Sequence, residues 1–248
     1  MTGQLQAYCL ALSAVAALSG QASCRSADRT DTTAYFPLRT DDTWVYEIAR
    51  SSGGESARLT VRSRGDTFVE PLRKRAHVVE EVYAARVSLP AGEPSLLAYY
   101  LEEGYVHRAM ALEYRGGEIV EGGPHAAEQR FLPVALDERS RWSGKTTAYD
   151  VPGGAGYAVE QMHAAAPQRE SVEVPAGRFA DCIRVDTVAV QKIHEEGETQ
   201  GQPTVLYYRD WYAPNVGLVR SRLSTQADHS GLLAETTLVS FVPGKERE

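Results

Sequence analysis

Residues able to carry acid–base or metal chemistry are thinly spread through this chain. Six histidines stand at positions 77, 107, 125, 163, 194 and 229. None is spaced as His-x-His or His-Glu-x-x-His, patterns that bring two imidazoles to one ion. His194 opens "HEEGETQGQ", which reads as a solvated hairpin tip. Acidic pairs occur at Asp41-Asp42, Glu80-Glu81 and Glu102-Glu103. Neighbours in a strand point to opposite faces, so such a pair does not form an acid/base dyad. Gly-x-Ser-x-Gly is missing, and "RGGE" and "PGGAG" lack the strand-to-helix context of a phosphate loop. Cys9, Cys24 and Cys182 form no Cys-x-x-Cys pair, which speaks against zinc and against a thioredoxin-like activity. The expectation is a non-enzymatic protein with no catalytic residue, metal or cofactor. A triad drawn from distant strands is left open, and no residue nominates one.

Aromatic side chains form the second candidate chemistry. The densest stretch is "YYRDWYAPNVGLV", residues 207–219. Pro214 suits the second position of a turn, Asn215 the third, and Gly217 the left-handed residue that ends it. On the approach, Tyr208, Asp210 and Tyr212 share one face, and Tyr207, Arg209 and Trp211 share the other. The stretch is therefore a β-hairpin whose rings fill a core or line a pocket. In a curled sheet, Trp44, Tyr46, Tyr99, Tyr208, Trp211 and Tyr212 are the candidates to line a ligand cavity. Composition alone does not separate the two readings.

Period-two alternation of apolar and polar residues runs from Tyr35 to Val242. Trp44, Tyr46 and Ile48 alternate with Thr43, Val45 and Glu47, and "SLLAYYLEE", "CIRVDTVAVQKI" and "LLAETTLVSFV" behave alike. Between the runs stand turn residues, among them "SSGG" at 51–54, "RGD" at 64–66 and "EGGP" at 121–124. Short strands with Gly/Pro turns predict antiparallel meanders rather than βαβ units. The fold class expected is mainly β: a large curved antiparallel sheet, half-barrel or barrel-like. At most two short helices fit, near 125–131 and 177–181. Arg184 and Asp186 read as a solvated face, and Val188 and Val190 on the same parity predict a bulge or a second covered face. "YFPLRTDDTW" and "FLPVALDERSRW" share an aromatic-Pro-aliphatic entry to a Trp-led strand, a sign of two related halves or of a recurring strand opening.

Near the N-terminus, "AYCLALSAVAAL" is too short to span a bilayer and is followed by small residues. That is the layout of a secretory signal, read here as 1–23. Cleavage after Ala22 is one reading. The other is a lipobox ending Ala22-Ser23-Cys24, with Cys24 lipid-modified, although Gln21 stands where an aliphatic residue is usual and the first seven residues carry no Lys or Arg. Residues 24–34 then form a polar tether, 35–243 a single β domain and 244–248 a polar tail. Arg25, rather than an acidic residue, follows the Cys and leans towards the outer membrane. A net charge of −7 argues against nucleic acid as partner.

Three pieces together, "YFPLRTDDTWVYE", "VEVPAGRFADCIRV" and "WYAPNVGLVRS", resemble a group of uncharacterised bacterial secreted proteins, many of them lipoproteins. Such proteins look similar to periplasmic lipoprotein carriers and mycobacterial lipid-binding lipoproteins, in which a curved antiparallel sheet surrounds an apolar cavity. The resemblance implies an envelope protein attached to the membrane through an N-terminal lipid and holding a hydrophobic or amphipathic ligand. It brings no catalytic residue. Two other readings stand beside it: an assembly-type envelope protein with a filled core and protein partners, and a hydrolase of unrecognised kind.

Overall fold

The computed structural model describes residues 30–36, 38–53, 56–84, 94–115, 118–121, 128–137, 139–151, 155–166, 168–194 and 203–244. Cys24, the signal segment and the 245–248 part of the tail lie outside the described residues.

Among the described residues the alternating runs form sixteen strands: β1 Thr30–Asp31, β2 Thr43–Arg50, β3 Ala57–Val69, β4 Lys74–Tyr83, β5 Ser95–Glu102, β6 Tyr105–Arg115, β7 Glu118–Glu121 and β8 Glu128–Pro133. After these come β9 Ala135–Leu136, β10 Arg141–Val151, β11 Ala155–Ala165, β12 Glu170–Val174, β13 Gly177–His194, β14 Pro203–Ala213, β15 Gly217–Ser224 and β16 Leu232–Val242. Among the described residues the helical content is two single-turn 3-10 segments, Thr33–Tyr35 and Glu70–Leu72. Where the two segments predicted as helical are described, both are strand. Residues 128–131 are in β8 and 177–181 open β13, while 125–127 lie outside the described residues.

Twelve strands hydrogen-bond in the order β10-β11-β13-β14-β15-β16-β2-β3-β4-β5-β6-β7, every ladder antiparallel, with β8 sharing the outer edge of β6. This sheet curls until β8 lies beside β10, so the barrel is nearly closed. At that seam the Trp142 indole donates to the Phe131 carbonyl at 3.2 Å. A Cβ on Gly144 would stand 3.1 Å from Gln129, so glycine lets the two edges approach. The two Trp-led strands, β2 and β10, each begin a run of strands that makes up half of the sheet.

Two apparent chain breaks are bulges inside strands. "RGD" is not a turn: β3 runs through it, with Gly65 at φ +85 and a register shift between Ser63 and Gly65. At the start of β13, Asp181 adopts φ +55 where its pairing with β12 shifts. A breaker residue with positive φ bends a strand without ending it. Of the two readings of Val188 and Val190, the bulge is not there, since β13 pairs continuously with both neighbours across those positions.

The rest of the chain seals the barrel. Thr30–Asp31 pairs with β9, buried Thr32 hydrogen-bonds the Pro133 carbonyl, and buried Tyr35 follows. The last residues of the predicted tether thus belong to the folded body. At the other terminus, Gly244 N–H donates to the buried Asp42 carboxylate at 2.6 Å. The β12–β13 hairpin folds against β15 and β16, with Ala176 N–H bonding the Leu238 carbonyl. Away from the barrel interior, Val69, Val78, Leu96, Ala98 and Leu112 form a separate apolar cluster closed by the Glu70–Leu72 turn and β7. This second cover explains why β4 is buried on both faces from Ala76 to Glu80.

Candidate functional site

Cross-strand neighbours on the inner face line up in rows, and the rows build the site. Val185, Asp210, Ser221 and Thr236 face one another across β13, β14, β15 and β16. Trp142, His163, Thr187 and Tyr208 do so across β10, β11, β13 and β14. Tyr99 opposes Arg108 on the far wall. Between them is a cavity of about 350 Å³. Its lining is largely aromatic and aliphatic, interrupted by Arg108, Asp210, Glu81, His163, Gln129, Gln161 and three hydroxyl residues. Two more open depressions lie on either side of exposed Met162.

Five of the six predicted aromatic residues meet here: Trp44, Tyr46, Tyr99, Tyr208 and Tyr212. Two of them have committed their polar ends to the scaffold. The Trp44 indole donates to Val216 O at 2.6 Å and the Tyr46 hydroxyl to Leu218 O at 3.0 Å, so both act as wall and as ties to the β14–β15 hairpin. Trp211 is elsewhere. Its indole donates to Glu170 at 2.7 Å, with the Arg220 guanidinium 5.5 Å from its ring, beneath the β12–β13 hairpin. The parity that puts Tyr212 inside puts Trp211 outside. The N-terminal segment contributes Phe36, whose ring lies 4.8 Å from Tyr99 and 5.1 Å from Phe131.

Burial governs the electrostatics of the wall. It lifts the Asp210 carboxyl to about 6, against a hydrogen bond from Ser221 and the charge of Arg108, with Asp186 adding to the rise. Burial lowers His163 to about 4, helped by Arg108. It raises Tyr99 to about 12 and also lifts Tyr46, Tyr208 and Tyr212, so these phenols stay neutral. His163 sits 2.7 Å from the Thr187 hydroxyl through Nδ1 and stacks on Trp142 at 5.0 Å, while its buried Nε2 has no partner. Arg108 donates to Gln129 at 2.9 Å and lies 4.9 Å from the Phe131 ring centre, and its buried Nε has no partner either.

Sequence reasoning passed over Arg108, His163 and Asp210. Asp210 was the one within reach, since it shares the face of Tyr208 and Tyr212. A second constellation was not foreseeable at all. Ser63 Oγ lies 2.6 Å from His77 Nε2, and His77 Nδ1 lies 2.9 Å from Asp66, the arrangement of a Ser-His-Asp triad. Ser63 and Asp66 reach the same face only because the bulge adds a residue between them. Ser63 is 2% exposed, and none of the three lines the cavity. A nucleophile must touch its substrate, and this one faces packed protein.

The outer ion pairs are structural. Arg184 bridges Glu170 and Asp186, Arg209 joins Asp186, and Arg220 and Arg222 share Glu235. Arg209 and Asp210 do lie on opposite faces. Cys182 is a free, buried thiol, held up at about 11 by burial and so inert, which fits its role as a small core residue. Among the described residues no group of His, Cys, Asp and Glu is placed to hold a metal ion, and no helix is long and apolar enough to cross a membrane.

No protein-family model matches the chain, and no curated protein matches it significantly. Solved structures do. A protein of Parabacteroides distasonis named provisionally as a lipoprotein superposes with a TM-score of 0.57 at 18% identity, over 84% of this chain and 98% of that one. A protein of Bacteroides fragilis named provisionally as an exported protein with a YmcC-like fold gives 0.44 at 16% identity, over the same shares. The likeness to the first is one of fold: a large antiparallel sheet curled almost into a barrel is an architecture this chain shares with it.

Proposed function

We propose that this is an exported bacterial envelope lipoprotein, anchored to the membrane through Cys24 and without enzymatic activity. In this reading it holds a hydrophobic or amphipathic ligand inside its barrel. The observation that carries it is the cavity of about 350 Å³ walled by Trp44, Tyr46, Tyr99, Tyr208 and Tyr212. A packed assembly protein has no reason to leave such a space between large aromatics, because a void forfeits contact energy on every side. Support for export comes from the apolar N-terminal run ahead of Cys24 and from a fold neighbour that itself carries a provisional lipoprotein name.

Native mass spectrometry of protein purified from its own host tests the reading. We expect a retained adduct of a few hundred daltons, lost in a V61F variant that fills the cavity but keeps the melting transition. Bare protein that also fails to take up any amphiphile in titrations would overturn it.

A hydrolase reading draws on Ser63, His77 and Asp66 alone. The burial of Ser63 speaks against it. A fluorophosphonate probe is expected to leave Ser63 unmodified in folded protein, and stoichiometric labelling there would reinstate an enzyme.

A further inference from the structure

We infer that the cavity takes a single-chain amphiphile with a carboxylate headgroup, and that Arg108 is the residue that receives it. The inference rests on the cavity reading above and specifies its ligand. Arg108 projects from β6 into a largely apolar space, and among the described residues no carboxylate comes within ion-pair distance of it. Its Nε is buried with no acceptor. A guanidinium is never discharged, and a buried N–H of it without an acceptor is best satisfied by an anion. His163 supplies an independent observation: it is 8% exposed, lines the same cavity, and its Nε2 has no partner.

Two carboxyl groups share the wall, and neither takes this role. Asp210 is engaged by Ser221; burial raises its carboxyl to about 6, so it is ionised at neutral pH, and it still forms no ion pair with Arg108. Glu81 acts on Tyr46 and Tyr99. What favours an anion at Arg108 is therefore local: a buried Nε donor that has no acceptor, on the residue that faces Tyr99 across the sheet.

Size limits the rest of the ligand. The cavity volume is at the low end of the ~300–1,000 Å³ typical of small-molecule sites. A site of that size suits a single medium acyl chain.

The test uses delipidated full-length protein and three twelve-carbon probes: dodecanoate, 1-dodecanol and dodecyltrimethylammonium. Binding is followed by the fluorescence of Trp44 in the cavity wall and by native mass spectrometry. Dodecanoate is expected to bind at least tenfold more tightly than the other two. R108M should erase that preference while leaving dodecanol affinity within twofold, and R108K, which keeps charge and fold, should retain part of it. Equal binding of dodecanoate and dodecanol, or a preference that survives R108M, overturns the assignment of Arg108 while leaving the cavity reading standing. Failure of all three probes to bind overturns both.

Discussion

Asp210 carries a penalty for being ionised, because its carboxyl has exchanged water for cavity wall. Its pKa in the folded protein is about 6, above the ordinary 3.8. As pH rises from about 4 to about 6, the unfolded chain has already released this proton and the folded chain still holds it. The penalty is therefore absent below about pH 4 and complete above about pH 6. D210N removes it. Urea unfolding should show a gain on the order of 1–3 kcal/mol at pH 7.5, the lower half being favoured because Asp210 opens onto the cavity. That gain should fall to near zero at pH 4. A gain of equal size at both pH values would assign the effect to packing instead. His163 works in the opposite direction: its lowered pKa costs stability as pH falls from about 6.5 to about 4, and that cost cancels in the difference between variant and parent. At this scale the sequence placed Asp210 on the aromatic face of its strand. It did not place Arg108 opposite, because the two lie on β6 and β14, and only closure of the sheet brings them to one space.

At the scale of elements, alternation decided which residues could face inward, and bulges decided where that alternation was reset. The hairpin at 207–219 formed as its turn residues dictate, with Asn215 at φ +61 and Gly217 at φ +93. Ser63 and Asp66, three residues apart, would face opposite ways in a regular strand, and the extra residue at Gly65 turns both to His77. Trp211 reveals the other limit of a strand pattern. A large ring on a strand must be covered, but the pattern does not say by what, and here the cover is the β12–β13 hairpin on the outside of the barrel. W211A should therefore cost about 3–5 kcal/mol in denaturant unfolding, as loss of a buried large aromatic does. Amphiphile affinity measured at a temperature where the variant is folded should stay within twofold of the parent. A loss of binding with stability intact would move Trp211 into the site.

At the scale of the whole molecule, twelve strands form a single sheet that bends back until β8 meets β10. The cavity exists because the inner rows carry large rings whose polar ends are tied to backbone, Trp44 to Val216 and Tyr46 to Leu218, so the walls are held apart and do not collapse inward. The N-terminal segment and Gly244 then close the body around Tyr35 and Asp42. The all-β class, the antiparallel meander, the hairpin turn and the inward parity of five aromatics were set by the sequence alone, because side chains in a strand alternate every second residue and turns obey local backbone rules. Whether those aromatics fill a core or wall a cavity, and which charges face one another across it, was decided only by the curvature and closure of the sheet. Those depend on contacts between residues a hundred positions apart, which no local pattern encodes.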